Sequence, residues 1–136
     1  MRRRFIGALF VLASACAGTG IVDAPPNASM TGTWSLQSVS GVALPIVVST
    51  PPKVELVSDV FTMAAAGTFV EASSFRTTDA AGAVTTTAGT DSGTYVVSGN
   101  NVTFHFASDG SSASASASGD TFTATSGTSV FLYKRQ

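Results

Sequence analysis

The sequence predicts an all-β domain of eight antiparallel strands, preceded by an export signal and a flexible connector. Three observations carry this. Val, Thr, Phe and Tyr cluster from Thr31 onward, and turn residues recur every ~8–11 residues. Between the turns, several segments alternate apolar with small polar residues at a period of two. Such regular spacing suits short strands joined by tight turns, as in a sandwich or an up-and-down barrel.

Composition narrows the class further. The chain has 136 residues, enough for one domain. Charged residues make up only 11% and hydrophobic residues 44%, with Ser, Thr, Gly and Ala filling the difference. That excludes a charged disordered tail and a coiled coil. The single cysteine, Cys16, excludes an internal disulfide and a CxxC metal site. Seven scattered basic residues do not make the footprint of a nucleic-acid binder, so no nucleic-acid partner is expected.

Residues 1–15 read as a signal peptide. Arg2, Arg3 and Arg4 form a basic n-region, and Phe5 to Leu12 is an apolar run too short to span a bilayer. Ala13-Ser14-Ala15 supplies the small residues of a cleavage site. Arg2-Arg3-Arg4-Phe5-Ile6 is also similar to a twin-arginine export signal. The stretch Leu12-Ala13-Ser14-Ala15-Cys16 resembles the lipobox of bacterial lipoproteins, with Ala13 where leucine is usual and Leu12 one position further out. The resemblance implies a diacylglycerol on the Cys16 sulfur, cleavage just before it, and a membrane partner reached through that lipid. Because Ala17 rather than Asp follows, it also implies the periplasmic side of the outer membrane in a Gram-negative cell. Ordinary secretion would cut the same bond and leave a free thiol. After cleavage four basic residues face eight acidic ones, a net charge of −4, so the lipid must supply the membrane affinity.

Residues 16–30 form the lipidated cysteine and a tether: Gly, Ala, Pro and Asn dominate, and Pro25-Pro26 disfavours a helix. The domain is residues 31–136. Its expected strands are 32–40, 54–64, 67–78, 83–97, 101–107, 111–118, 121–126 and 129–135. Ser98-Gly99-Asn100-Asn101 and Ser118-Gly119-Asp120-Thr121 read as tight hairpins, and Asp109-Gly110 and Gly127-Thr128 mark two more turns. Val102, Phe104 and Phe106 share one face of their strand, and Ala113, Ala115 and Ala117 share one face of theirs. Gly89 and Gly93 are expected to bend or split the fourth strand. Ala64-Ala65-Ala66, ending at Gly67, is expected to be a turn.

Gly32-Thr33-Trp34 opens the first strand. A Gly-x-Trp at that place resembles the lipocalins and the wider calycin group. The fuller runs Gly32 to Gly41 with Leu44-Pro45, Gly93 to Asn100, and Phe131 to Arg135 are similar to small bacterial lipocalin-like lipoproteins. The resemblance implies an eight-stranded antiparallel up-and-down barrel with one closed end. It also implies a tryptophan packed there beneath a basic side chain near the last strand. Arg135 is the first candidate to cover Trp34, and Lys134 the second. The N-terminal helix, long C-terminal helix and disulfide of lipocalins have no counterpart in the sequence.

Chemistry is sparse. His105, the only histidine, sits opposite Phe104 and Phe106 and reads as a surface residue. Glu55, Asp59 and Glu71 read as solvated charges on strand faces that discourage edge pairing. No spacing fits zinc or calcium, and no glycine-rich loop joins a strand to a helix, so no catalytic residue, metal or cofactor is expected. The aromatic residues read first as core. The small side chains of 112–118 opposite Phe104, Phe106 and Phe122 either leave a shallow apolar pocket or let the barrel flatten until the void closes. The candidate ligand-binding residues are Leu36, Tyr95, Phe104, Phe106 and Phe122. The expected function is a lipid-anchored envelope protein whose barrel binds a small apolar or amphipathic ligand. The alternative is a structural lipoprotein with a filled barrel that contacts another envelope component.

Overall fold

The computed structural model describes residues 28–136. The signal peptide, Cys16 and most of the tether lie outside the described residues. Ala28–Met30 form one 3-10 turn, followed by ten strands. These are β1 (Gly32–Val39), β2 (Val42–Ala43), β3 (Ile46–Ser49), β4 (Lys53–Met63), β5 (Thr68–Thr78), β6 (Val84–Ser98), β7 (Asn101–Phe106), β8 (Ser112–Ser118), β9 (Thr121–Ser126) and β10 (Ser129–Arg135).

Neighbouring strands from β3 through β10 pair antiparallel in chain order. β10 then pairs with β1, and β1 pairs with β4 from Gly32↔Met63 to Ser35↔Val60, which closes the sheet. The wall is therefore an eight-stranded up-and-down barrel made of β1 and β4–β10, the lipocalin-type arrangement. The eight expected strands are these eight, with ends differing by at most one residue. β2 and β3 are additional. They fold back from the end of β1 and reach β4, tucking Leu44 and Ile46 against the core.

Tight turns make this meander economical. Gly119-Asp120 joins β8 to β9, and Gly119 sits at φ 60°, where a side chain would be strained. Gly99-Asn100 and Gly127-Thr128 close two more two-residue turns.

β6 runs unbroken through Gly89 and Gly93. Gly93 permits a close approach instead of a break, since a Cβ there would lie 1.9 Å from the His105 carbonyl oxygen on β7. β7 joins β6 only from Gly93 onward. Among the described residues, Val84–Asp91 are paired on the β5 side alone, so the β5–β6 hairpin outreaches the rest of the wall.

One end is closed by packing. Met30 and Trp34 are both essentially inaccessible, and the indole Nε1 donates to the Met30 carbonyl at 2.8 Å. Arg135 Cζ lies 4.2 Å from the Trp34 ring centroid. The Arg135 guanidinium also donates to the carbonyls of Ser29 and Thr31. Met30, placed in the tether by sequence, is thus the plug of this end, and the packed structure starts before residue 31. Above it, Phe61 touches Phe69, Phe104, Phe122 and Tyr133 at centroid distances of 5.2–6.0 Å, filling the barrel's middle.

Candidate functional site

The opposite half of the barrel is not filled. A cavity of about 150 Å³ lies beside the β9–β10 turn, and Phe104, Phe106, Phe122 and Phe131 give it an aromatic wall. Ala113 and Ala124 leave the space, because a methyl stands where a larger side chain would close it. Three candidate residues from the sequence, Phe104, Phe106 and Phe122, border this cavity. Leu36 and Tyr95 do not. Leu36 is buried within the core, and Tyr95 belongs to the closed half, where its hydroxyl donates to the Ala64 carbonyl at 2.6 Å.

Two carboxyl groups border the same cavity, Asp59 from β4 and Glu71 from β5. Their placement follows from strand register. β4 carries a bulge between Leu56 and Ser58, which resets its alternation. Leu56 points inward before the bulge; Asp59, Phe61 and Met63 do so after it. On β5 the inward set holds Phe69, Glu71 and Phe75. Asp59 is only 6% exposed. The expectation of solvated strand-face charges therefore fails for Asp59 and for Glu71, whose side chains face the barrel interior.

The pair has one partner on β10. The Tyr133 hydroxyl donates to Asp59 Oδ2 at 2.8 Å, and Tyr133 in turn stacks on Phe122 with centroids 4.5 Å apart. Asp59 Oδ1 is buried, and apart from Tyr133 the side chain that can donate to this carboxyl is Glu71, when protonated. Burial, and then the charge on Asp59, push Glu71 up to about 8. Burial also raises Asp59, against the opposing pull of the Tyr133 hydrogen bond. Tyr133 itself is pushed upward by burial and then by the Asp59 charge, so it remains a phenol. At neutral pH the two carboxyls thus hold a proton between them, as like charges brought close together do.

Glu55 and His105 face outward. Glu55 is buried, but on the outer face, beneath Arg76 at 2.8 Å and Lys53 at 2.9 Å. The hydrogen bond from Arg76, and then that from Lys53, hold its carboxyl down to about 2. His105 is exposed, with Nδ1 2.7 Å from Ser112 Oγ. Among the described residues, no group of three His, Cys, Asp or Glu side chains is arranged to hold a metal ion.

Sequence reasoning did not name Tyr133 or Phe131 as site residues and misplaced Asp59 and Glu71. A usable signal was present. Asp59 shares period-two parity with Phe61 and Met63, and Glu71 with Phe69 and Phe75. A carboxylate in step with aromatics on a barrel strand points where the aromatics point.

Fold and site together define a class: a small up-and-down β-barrel of the lipocalin-like kind, sealed at one end, with an aromatic cavity and a carboxyl pair toward the other. No family model and no curated protein matches this chain. Among solved structures it is similar to a lipocalin-like protein from Bacteroides uniformis, at 13% identity and a TM-score of 0.44, over 79% of this chain and 99% of that one. It is also similar to an uncharacterized protein from Bacteroides eggerthii, at 8% identity and a TM-score of 0.44, over 78% of this chain and 98% of that one.

Proposed function

We propose that this chain is an exported, lipid-anchored protein of the bacterial envelope whose barrel holds a small amphipathic molecule. The observation that carries the binding reading is the cavity: aromatic walls, two alanines that leave it open, and polar groups at one side. That is the composition of a ligand pocket, though smaller than the ~300–1,000 Å³ that suits drug-sized compounds. An apolar cavity of about 150 Å³ accepts a body the size of benzene. The signal-peptide pattern and Cys16 support export and anchoring.

The test is a titration of the full-length protein with toluene, followed by the aromatic resonances of the cavity wall. Saturable shifts at Phe104, Phe106 and Phe122 are expected, and Ala113→Leu should abolish them by filling the space. Unchanged resonances up to the solubility of toluene would refute the binding reading. The second reading, an interaction protein, then takes over. It is favoured by the open backbone edge at Val84–Asp91, which could take an added strand from a partner.

A further inference from the structure

We infer that the cavity recognises small organic ammonium ions: an apolar body no larger than about a benzene ring lies against the phenylalanine wall, and its ammonium group seats at Asp59 and Glu71. The inference rests on the ligand-binding reading above and names the chemical class of the ligand.

The first support is an acceptor that depends on a proton. Asp59 is 6% exposed and borders the cavity, and beyond the Tyr133 hydroxyl its side-chain donor is the Glu71 carboxyl, which donates only while it holds its proton. With Glu71 ionised, Asp59 Oδ1 is a buried acceptor without a side-chain partner, and buried acceptors are rarely left so. A ligand N–H can take the place of that proton.

The second support is charge of one sign. From β4 the pair presents Asp59, and from β5 Glu71. On β6, Asp91 is the cross-strand neighbour of Glu71 and accepts from the Ser92 N–H and the Ser108 hydroxyl. β10 contributes Tyr133, a donor but not a cation. β7 and β9 bring Phe104, Phe106 and Phe122. No Lys, Arg or His of the described residues borders the cavity. Lys53 and Arg76 are engaged by Glu55 outside, Arg135 caps the closed end, and His105 faces Ser112 on the outer surface. The phenylalanine wall completes the set, since aromatic faces attract cations.

Without ligand, the missing positive charge is a proton. Burial, and then the Asp59 charge, hold Glu71 protonated up to about pH 8. An ammonium ion brings three donors and a full charge. Seated at the pair, it satisfies Asp59 Oδ1, lets Glu71 ionise, and releases one proton to solvent. No covalent bond changes. A neutral alcohol of the same shape can do none of this.

The experiment uses the full-length protein and two probes of nearly identical shape, benzylamine and benzyl alcohol. Each is titrated calorimetrically in two buffers of different ionisation enthalpy. At about pH 8, benzylamine should bind at least about tenfold more tightly than benzyl alcohol and should release protons. Its affinity should weaken as pH falls from about 8 to about 6, approaching tenfold per pH unit, as one linked proton requires. Glu71→Gln should flatten that dependence. Asp59→Asn should bring benzylamine down to the level of the alcohol; if it fails to fold, the probe comparison and Glu71→Gln decide alone. Equal affinity of the two probes, or a flat benzylamine profile, overturns the cation inference while leaving the ligand-binding reading intact. Binding of neither probe overturns both.

Discussion

Replacing Glu71 by glutamine should stabilise the protein at neutral pH, and the gain should vanish in acid. A glutamate in the unfolded chain releases its proton near 4.5, whereas in the barrel burial and then Asp59 hold it to about 8. Between those values the folded protein carries a proton that the unfolded chain has lost. Stability therefore falls as pH rises through this window, at up to about 1.4 kcal/mol per pH unit for one proton. Complete exclusion of water would bring the total near ~5 kcal/mol. Glu71 is only partly buried, so solvent screening reduces the expectation to about 1–3 kcal/mol. Asp59, raised by burial, acts with the same sign. The glutamine side chain carries no charge, and its amide can donate to Asp59 at every pH, as Glu71 does only while protonated. The assay is urea unfolding of both proteins from about pH 4.5 to about pH 8.5. The native protein should lose stability across the series and the variant much less, with the curves converging at the acid end. Parallel curves, or a variant less stable at about pH 8, would show that Glu71 is ionised and satisfied in the barrel, and the account of the pair would fall.

Two further outcomes follow from the same structure, and one from the signal-peptide pattern. Trp34→Ala should cost about 3–5 kcal/mol in chemical denaturation, because it empties a fully buried site and strands the Met30 carbonyl; a change within error would contradict the packing of the closed end. Gly93→Ala should prevent the β6–β7 pairing from closing, since its Cβ would meet the His105 carbonyl at 1.9 Å. A Gly93→Ala protein with native near-ultraviolet dichroism and unchanged denaturation midpoint would refute that tight approach. Cys16→Ser should move the protein from the membrane fraction to the soluble fraction, and unchanged membrane retention would remove the lipid anchor from the proposal.

The strands were legible because a meander of short strands is specified locally. Each Gly-x turn and each alternating run determines its own hairpin, and β7 through β10 need little else. β2 and β3 carry no such signal. They are two and four residues long, flank Pro45, and expose Val42, Val47 and Val48. Their pairing depends on the partner strands already being in place. The carboxyl pair was hidden for a different reason. Alternation extended from Leu56 without interruption would turn Asp59 outward, and the bulge at Val57 turns it inward. A bulge is a property of the pairing between two strands, so the β4 sequence supports two parities, one from Leu56 that turns Asp59 outward and one from Phe61 and Met63 that turns it inward. The cavity was half legible. The alanines of β8 suggested space, but only the closed register showed that it falls beside Phe106 and Phe131 and away from Leu36 and Tyr95.

The contrast between the two ends argues for where function resides. At the closed end the charged and aromatic polar groups answer one another: the indole donates to Met30, the Arg135 guanidinium to Ser29 and Thr31, and the Tyr95 hydroxyl to Ala64, and the buried group left over is the neutral Thr31 hydroxyl. At the other end two carboxyls of like charge border one cavity, and alanines stand where larger side chains would fill it. Each of these features opposes folding. A barrel shaped for stability alone would place an apolar residue at position 59 or 71, as the neighbouring inward positions 61, 63, 69 and 75 do. A purely architectural role for the pair would require that its removal weaken the fold, and the charge arithmetic gives the opposite sign. The cost is local, and it falls on the residues that border the cavity, where a bound ligand would offset it.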